Sequence, residues 1–222
     1  MNQFDKIQKS LRHQTYTWLI TGVAGFIGSN LLEQLLNLQQ KVVGLDNFST
    51  GSKANLADVL EKLDPTSHSN FRLIEGDVNV PCDCQKAVTD VDFVLHQAAL
   101  GSVPRSVAMP LVTHSSNVTG FLNMLVAAKD AHVKRFVYAS SSSVYGDLET
   151  SPKKEIEMGR PLSPYAASKY ANELYAQAFA NCYGMQTIGL RYFNIFGPRQ
   201  DPTGPYAAVI PRWISCMIRR EP

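Results

Sequence analysis

Residues 21–30, TGVAGFIGSN, constrain this chain more than any other stretch. The preceding run, residues 16–20 (YTWLI), is β-branched and aromatic and reads as a buried strand. The following run places Phe26, Ile27, Leu31, Leu32, Leu35 and Leu36 at helical recurrence. Gly22, Gly25 and Gly28 therefore fall at a strand-to-helix turn. Gly22 allows a backbone conformation that a Cβ forbids. Gly25 leaves room for a pyrophosphate at the helix N-terminus, where free N–H groups and the positive dipole end favour an anion. Gly28 lets the helix lie close on the sheet. Phe26 and Ile27, which open the helix, join the glycines as candidate cofactor residues.

An acidic residue belongs roughly twenty positions further on, where it can bond an adenosine ribose. Residues 42–45 (VVGL) form a second buried strand, and Asp46 ends it. Its carboxylate accepts from a ribose diol and repels a 2′-phosphate, so the expected cofactor is NAD and not NADP. Asn47, Ser49, Thr50 and Gly51 continue as a polar loop, either beside the adenosine or as a plain connection.

Composition narrows the classes. The chain has 222 residues, 45% of them apolar and 18% charged, and a net charge of +2. That is enough for one substantial core, or one and part of a second, and the charge offers no case for nucleic acid or a membrane surface as partner. No apolar run approaches a membrane span and the N-terminus has no signal-peptide core, so the cytoplasm is the default location. Of the four cysteines only Cys82 and Cys84 lie close, at a spacing unlike a zinc site, so no metal is expected.

Strand and helix patterns alternate along the chain. Residues 1–14 carry Phe4, Ile7 and Leu11 at helical spacing, which predicts a short helix packed on the domain surface. A third strand over 71–76 closes at Asp77 and Val78, where an acid can meet an adenine amino group or simply face solvent. His68 before it lies in a turn and reads as solvated. A fourth strand over 92–97 ends in His96 and Gln97, followed by the small Ala98 and Ala99. His96 reads as a hydrogen-bonded core residue. A long helix is expected over 111–131, with Val118, Phe121, Leu122, Leu125 and Val126 inward and Asn117 tying down backbone near the site. Strands follow over 134–139 and 187–193, separated by a helix over 164–182. The fold class is α/β: a doubly wound parallel sheet, the Rossmann arrangement, over residues 1–193. Residues 194–222 shift to a breaker-rich loop and a final helix, and read as the start of an unfinished substrate-binding lobe.

The fifth strand runs into residues 140–146, SSSSVYG, which sets hydroxyls at the carboxyl edge of the sheet, where such folds bind ligands. Tyr165 and Lys169, four apart on a helix, share one face. An ammonium there, with the charge of an oxidised nicotinamide, favours the phenolate and makes Tyr165 a candidate general base.

Together these stretches, with residues 190–194 (LRYFN), resemble the extended short-chain dehydrogenase/reductase superfamily and its NAD-dependent epimerase/dehydratase branch. Residues 100–106 (LGSVPRS), 199–202 (RQDP) and 206–211 (YAAVIP) are similar to bacterial UDP-N-acetylglucosamine 4-epimerases of surface-polysaccharide synthesis. The resemblance implies that Tyr165 removes the sugar 4′-hydroxyl proton while NAD accepts the C4′ hydride. The 4-keto sugar then turns over and is reduced on its other face. It implies that Ser141 bonds that hydroxyl, and that Lys169 also holds the nicotinamide ribose. Gln97, Ala98, Ala99 and Tyr192 join the cofactor contacts. Gly101, Ser102, Ser142 and Ser143 face the sugar, and Asn194 with Ala207, Ala208 and Val209 hold the diphosphate and uridine. A UDP-sugar is the implied substrate and a homodimer the implied full-length assembly. The 4,6-dehydratases carry an Asp-Glu pair where this chain has Ser142 and Ser143, and related decarboxylases carry a glutamate. UDP-glucuronate and UDP-glucose 4-epimerases stay open, as does an NAD-binding module without turnover. Family members run on for roughly another hundred residues, so this exact chain is expected to bind NAD and turn over little substrate.

Overall fold

Thr17–Thr21 forms β1, and its alternating side chains serve two cores. Leu19 packs with Val43, Val94, Phe121 and Phe136 on one face of the sheet, and Ile20 with Leu32, Leu36, Val42 and Val59 on the other. A parallel strand covered on both faces needs apolar residues at consecutive positions, not alternating ones. Each side chain fully buried there contributes about 1.5–3 kcal/mol. The computed structural model describes residues 2–201 and 209–220.

The glycine turn leads from β1 to α2 (Phe26–Asn37), then β2 (Lys41–Asp46) and α3 (Lys53–Lys62). A 3-10 turn precedes β3 (Phe71–Glu75), and α4 (Pro81–Ala87) connects it to β4 (Phe93–His96). Then come α5 (Val103–Ala108), α6 (Pro110–His114), α7 (Gly120–Asp130), β5 (Arg135–Ser141), α8 (Pro164–Tyr183), β6 (Thr187–Tyr192) and α9 (Val209–Arg219). The sheet order is β3-β2-β1-β4-β5-β6, and every pairing is parallel. The order reverses between β1 and β4, and in an open α/β sheet the ligand crevice lies at that switch point.

The expected sheet is present, and several expectations about helices need correction. The N-terminal helix, α1 (Gln3–His13), buries no residue; Phe4 is 65% exposed. It is held by polar contacts instead: the Gln40 side-chain amide donates to the carbonyls of Leu11 and Gln14. The helix expected over 111–131 is interrupted by a π turn at Ser115–Thr119, and Val126 faces outward at 39% exposure. Helices α4 and α5, seven and six residues long, were not foreseen, because one or two turns give too little periodicity to read. His68 is not merely solvated, since its Nε2 lies 2.8 Å from the Leu60 carbonyl.

Candidate active site

The glycine turn forms the floor of a cavity of about 260 Å³ at the switch point. Gly22 has φ +68°, and a Cβ on it would sit 2.9 Å from the Ala98 backbone. The role of Gly28 differs from the expectation. A Cβ there would meet the Gly22 carbonyl oxygen at 2.1 Å, so it is the turn itself, folded back on the helix, that excludes a side chain. Gly25 caps α2 without any side-chain hydrogen bond, so the first turn of the helix is left to face the cavity. A narrow cradle of bare backbone at a helix N-terminus suits the pyrophosphate of a dinucleotide.

Phe26, Ile27, Asp46, Asn47, Ser49, Thr50, Gly51, Asp77, Val78, Gln97, Ala98 and Ala99 line this cavity with the three glycines. Leu45, Gly76, Leu100 and Ser116 line it too and were missed; nothing in their local pattern sets them apart from other strand, loop or helix residues. Asp46 is 7% exposed, and both carboxylate oxygens accept backbone N–H groups at 2.8 Å, from Ala24 and from Phe48. Each oxygen keeps a second lone pair for a ribose hydroxyl. Asp77 accepts from the Asn47 side-chain amide at 2.8 Å and from the Asn79 N–H at 2.8 Å, which draws the two strand-end loops together.

Chemistry-bearing groups gather at the ends of β5 and α8. Ser141, the last residue of β5, is buried, and its hydroxyl lies close enough to the Tyr165 phenol to favour the phenolate. The Ser143 backbone N–H and hydroxyl lie 3.1 and 2.9 Å from the Ser141 hydroxyl and orient it. Lys169 is 3% exposed, and its ammonium donates to the Ala139 carbonyl at 2.8 Å. Burial pulls the Lys169 pKa down to about 8. For the Tyr165 phenol, the expected depression includes the charge of an oxidised nicotinamide, and the protein alone shows only its own contribution. Burial raises the phenol pKa, with the Ser141 hydroxyl acting in the opposite direction. The physical reason is that this ammonium is turned to a backbone carbonyl, so loss of solvation outweighs attraction for the phenolate.

His96 stands 3% exposed, with Nδ1 2.9 Å from the Thr21 hydroxyl, and burial followed by the Lys169 charge lowers its pKa to about 3. This matches the reading of His96 as a hydrogen-bonded core residue, and its Thr21 partner also accepts from the Ala98 N–H at 3.1 Å, fixing the cavity wall. Asn117, in the π turn, accepts from the Leu100 N–H at 2.7 Å and donates to the Ser168 hydroxyl at 3.1 Å. It thereby ties the cavity wall to the helix of Tyr165 and Lys169.

Other candidates are less directly placed. Tyr192 does not line the cavity, and burial raises the pKa of its phenol while the nearby Gln97 side chain, which does line it, acts in the opposite direction. Ser102 caps α5 by accepting the Arg105 N–H at 3.1 Å, and Gly101 is exposed beside it. Ser142 is partly buried, whereas Asn194 and Val209 are exposed. Ala207 and Ala208 lie outside the described residues.

A parallel sheet with a glycine cradle at its switch point and a Ser–Tyr–Lys group at the edge defines a dinucleotide-dependent enzyme class. Residues 18–222 match the NAD dependent epimerase/dehydratase family, and the chain belongs to that family. It is similar to a UDP-N-acetylglucosamine 4-epimerase from Methanobrevibacter ruminantium, solved with UDP-N-acetylmuramic acid. That similarity is 41% identity, with a TM-score of 0.85 and 94% of this chain covered against 64% of that one. The UDP-glucose 4-epimerase of Thermus thermophilus, solved with NAD, is 34% identical with a TM-score of 0.81, covering 93% and 64%. A UDP-glucuronate 4-epimerase of Thermodesulfobacterium geofontis is 35% identical over 83% of this chain and 58% of its own length. The chain thus spans between 58% and 64% of the length of these relatives. NAD is the cofactor of the family.

Proposed function

We propose that this protein is a UDP-sugar 4-epimerase acting on UDP-N-acetylglucosamine and UDP-N-acetylgalactosamine. The observation that carries the reading is the meeting of Ser141, at the end of β5, with Tyr165 and Lys169, one helical turn apart on α8, beside the glycine cradle. Gly22, Gly25, Gly28, Asp46 and Asp77 would hold NAD, which when bound supplies hydride acceptance and return at the sugar C4.

The chain's own residues handle the proton. Ser141 orients the 4′-hydroxyl toward the Tyr165 oxygen, and Tyr165 removes its proton and later restores it. Because burial keeps the phenol protonated in the free protein, the base form has to be created by the ligands that fill the site. Lys169 is the group available to stabilise it, by leaving the Ala139 carbonyl or sharing its ammonium. Ser142 and Ser143 offer hydroxyls to the sugar and no acid, which favours epimerisation over dehydration or decarboxylation. Residues 194–222 belong, in this reading, to the part of the protein that meets the UDP moiety.

Incubation with UDP-N-acetylglucosamine, followed by chromatography for UDP-N-acetylgalactosamine, tests the assignment. Turnover of UDP-glucuronate or UDP-glucose with none of the N-acetyl sugars would retain the reaction and replace the substrate. A stable 4-keto-6-deoxy product would remove the epimerase reading altogether.

A further inference from the structure

Beyond the reaction, the loop that follows β6 is fastened to the other side of the site chiefly through Arg199. Arg199 has φ +65°, a backbone region that an L residue occupies only when held there, and its side chain is 5% exposed. Its guanidinium is surrounded by acceptors. Nε donates to Ser29 Oγ at 3.1 Å and Nη1 to Asp58 Oδ2 at 2.8 Å. Nη2 donates to Asn30 Oδ1 at 2.9 Å and Glu33 Oε2 at 2.6 Å. Ser29, Asn30 and Glu33 belong to the first two turns of α2, and Asp58 belongs to α3.

Two further contacts close the joint. The Asn30 amide donates to the Pro198 carbonyl at 3.0 Å and to the Phe26 carbonyl at 2.8 Å. A Cβ on Gly197 would lie 3.2 Å from the ring of Phe26, which itself lines the dinucleotide cavity. A buried guanidinium is tolerated only while its charge and its forked donors are met, so the loop has one seat on α2.

We propose that Arg199 is a positioning residue that couples segment 193–201 to the dinucleotide-binding helix. Loading the cavity orders the first turn of α2 and, through Asn30, Glu33 and Arg199, the loop that carries Asn194. By reciprocity, a ligand held by that loop tightens the hold on the dinucleotide. This rests on the reading of the cavity as an NAD site.

Hydrogen–deuterium exchange of the full 222-residue chain, with and without NAD, separates the two ideas. In the unaltered chain NAD should slow exchange across 193–201 about tenfold. Arg199→Ala should bind NAD within about threefold of the unaltered chain yet lose that slowing. Arg199→Lys should recover only part of it, because an ammonium keeps the charge toward Glu33 and Asp58 without the fork that also reaches Ser29 and Asn30. Full slowing in Arg199→Ala, or Arg199→Lys indistinguishable from the unaltered chain, would overturn the assignment; the lysine variant decides if the alanine variant does not fold. NAD that binds without altering loop exchange removes the coupling alone. Failure of the unaltered chain to bind NAD removes the cavity reading, and the coupling with it.

Discussion

From Val42 to Asp46 every residue of β2 is buried, whereas on β6 Ile188 and Leu190 are each 41% exposed. The same contrast holds for helices. Leu32 and Leu36 of α2 are fully buried, while Trp213, Met217 and Ile218 of α9 are 66%, 69% and 78% exposed. Around β1 and β2 the sheet beside the cavity is covered on both faces, although the edge strand β3 leaves Leu73 40% exposed, and the cavity walls are fixed by backbone hydrogen bonds. The β6–α9 flank presents apolar side chains that its described residues do not cover. A cradle for a rigid pyrophosphate has to be set before ligand arrives, because its selectivity lies in backbone geometry. An open apolar face carries no such requirement. Tyr165 and Lys169 stand between the two flanks.

The sharpest separation of the flanks comes from Tyr165→Phe. It should lower sugar turnover by about 10² to 10⁴-fold, the usual worth of a general acid–base group, while NAD binding is retained. Turnover within about threefold of the unaltered enzyme would show that another group moves the proton. Acidification acts on the buried flank next. His96 has a folded pKa of about 3 against an ordinary 6.5, so the unfolded chain binds more protons between those values. Stability from this group is therefore fully present above pH 6.5 and declines as pH falls toward 3, by up to about 1.4 kcal/mol per unit. Urea titrations from pH 7 to 4 should show the loss in the unaltered chain and a smaller one in His96→Phe.

Gly28→Ala tests the cradle directly. Its Cβ would fall 2.1 Å from the Gly22 carbonyl oxygen, so the turn must move, at a cost of about 1–3 kcal/mol, with weakened NAD binding. A variant with unchanged melting temperature and unchanged NAD affinity would mean that the turn is more yielding than its geometry implies. The smallest effect is expected on the open flank. Trp213→Gln with Ile218→Lys should shift stability by no more than about 0.5 kcal/mol while reducing self-association measured by light scattering. A loss of several kcal/mol would show that this face is covered in the folded protein after all.

Legibility from sequence followed the same divide. The β1 turn and α2 could be read because glycine spacing and helical recurrence are local, and Asp46 follows from the length of one strand–helix–strand unit. The π turn at Asn117 could not be, because its side chain bonds Leu100 and Ser168, groups 17 and 51 residues away. Arg199 reaches partners 141 to 170 residues earlier in the chain, and no periodicity records such a pairing. The protein's own effect on the Tyr165 phenol was hidden for a related reason. Spacing put an ammonium one turn away, but where that ammonium points was settled by the Ala139 carbonyl on another element.

The two backbone N–H groups gripped by Asp46 bear on how cofactor choice can change over evolutionary or laboratory time. The carboxylate that would discriminate against a 2′-phosphate also seats Ala24 in the glycine turn and Phe48 in the next loop. Recognition and architecture share one side chain. A replacement made to admit NADP, such as Asp46→Ala or Asp46→Arg, also removes the acceptor for two backbone donors. Relaxing the preference therefore has to pass through variants with a slackened cradle unless a second change supplies a new acceptor. Asp46→Asn and Asp46→Ser, which keep one of the two acceptors without the charge, are the shorter steps along that path.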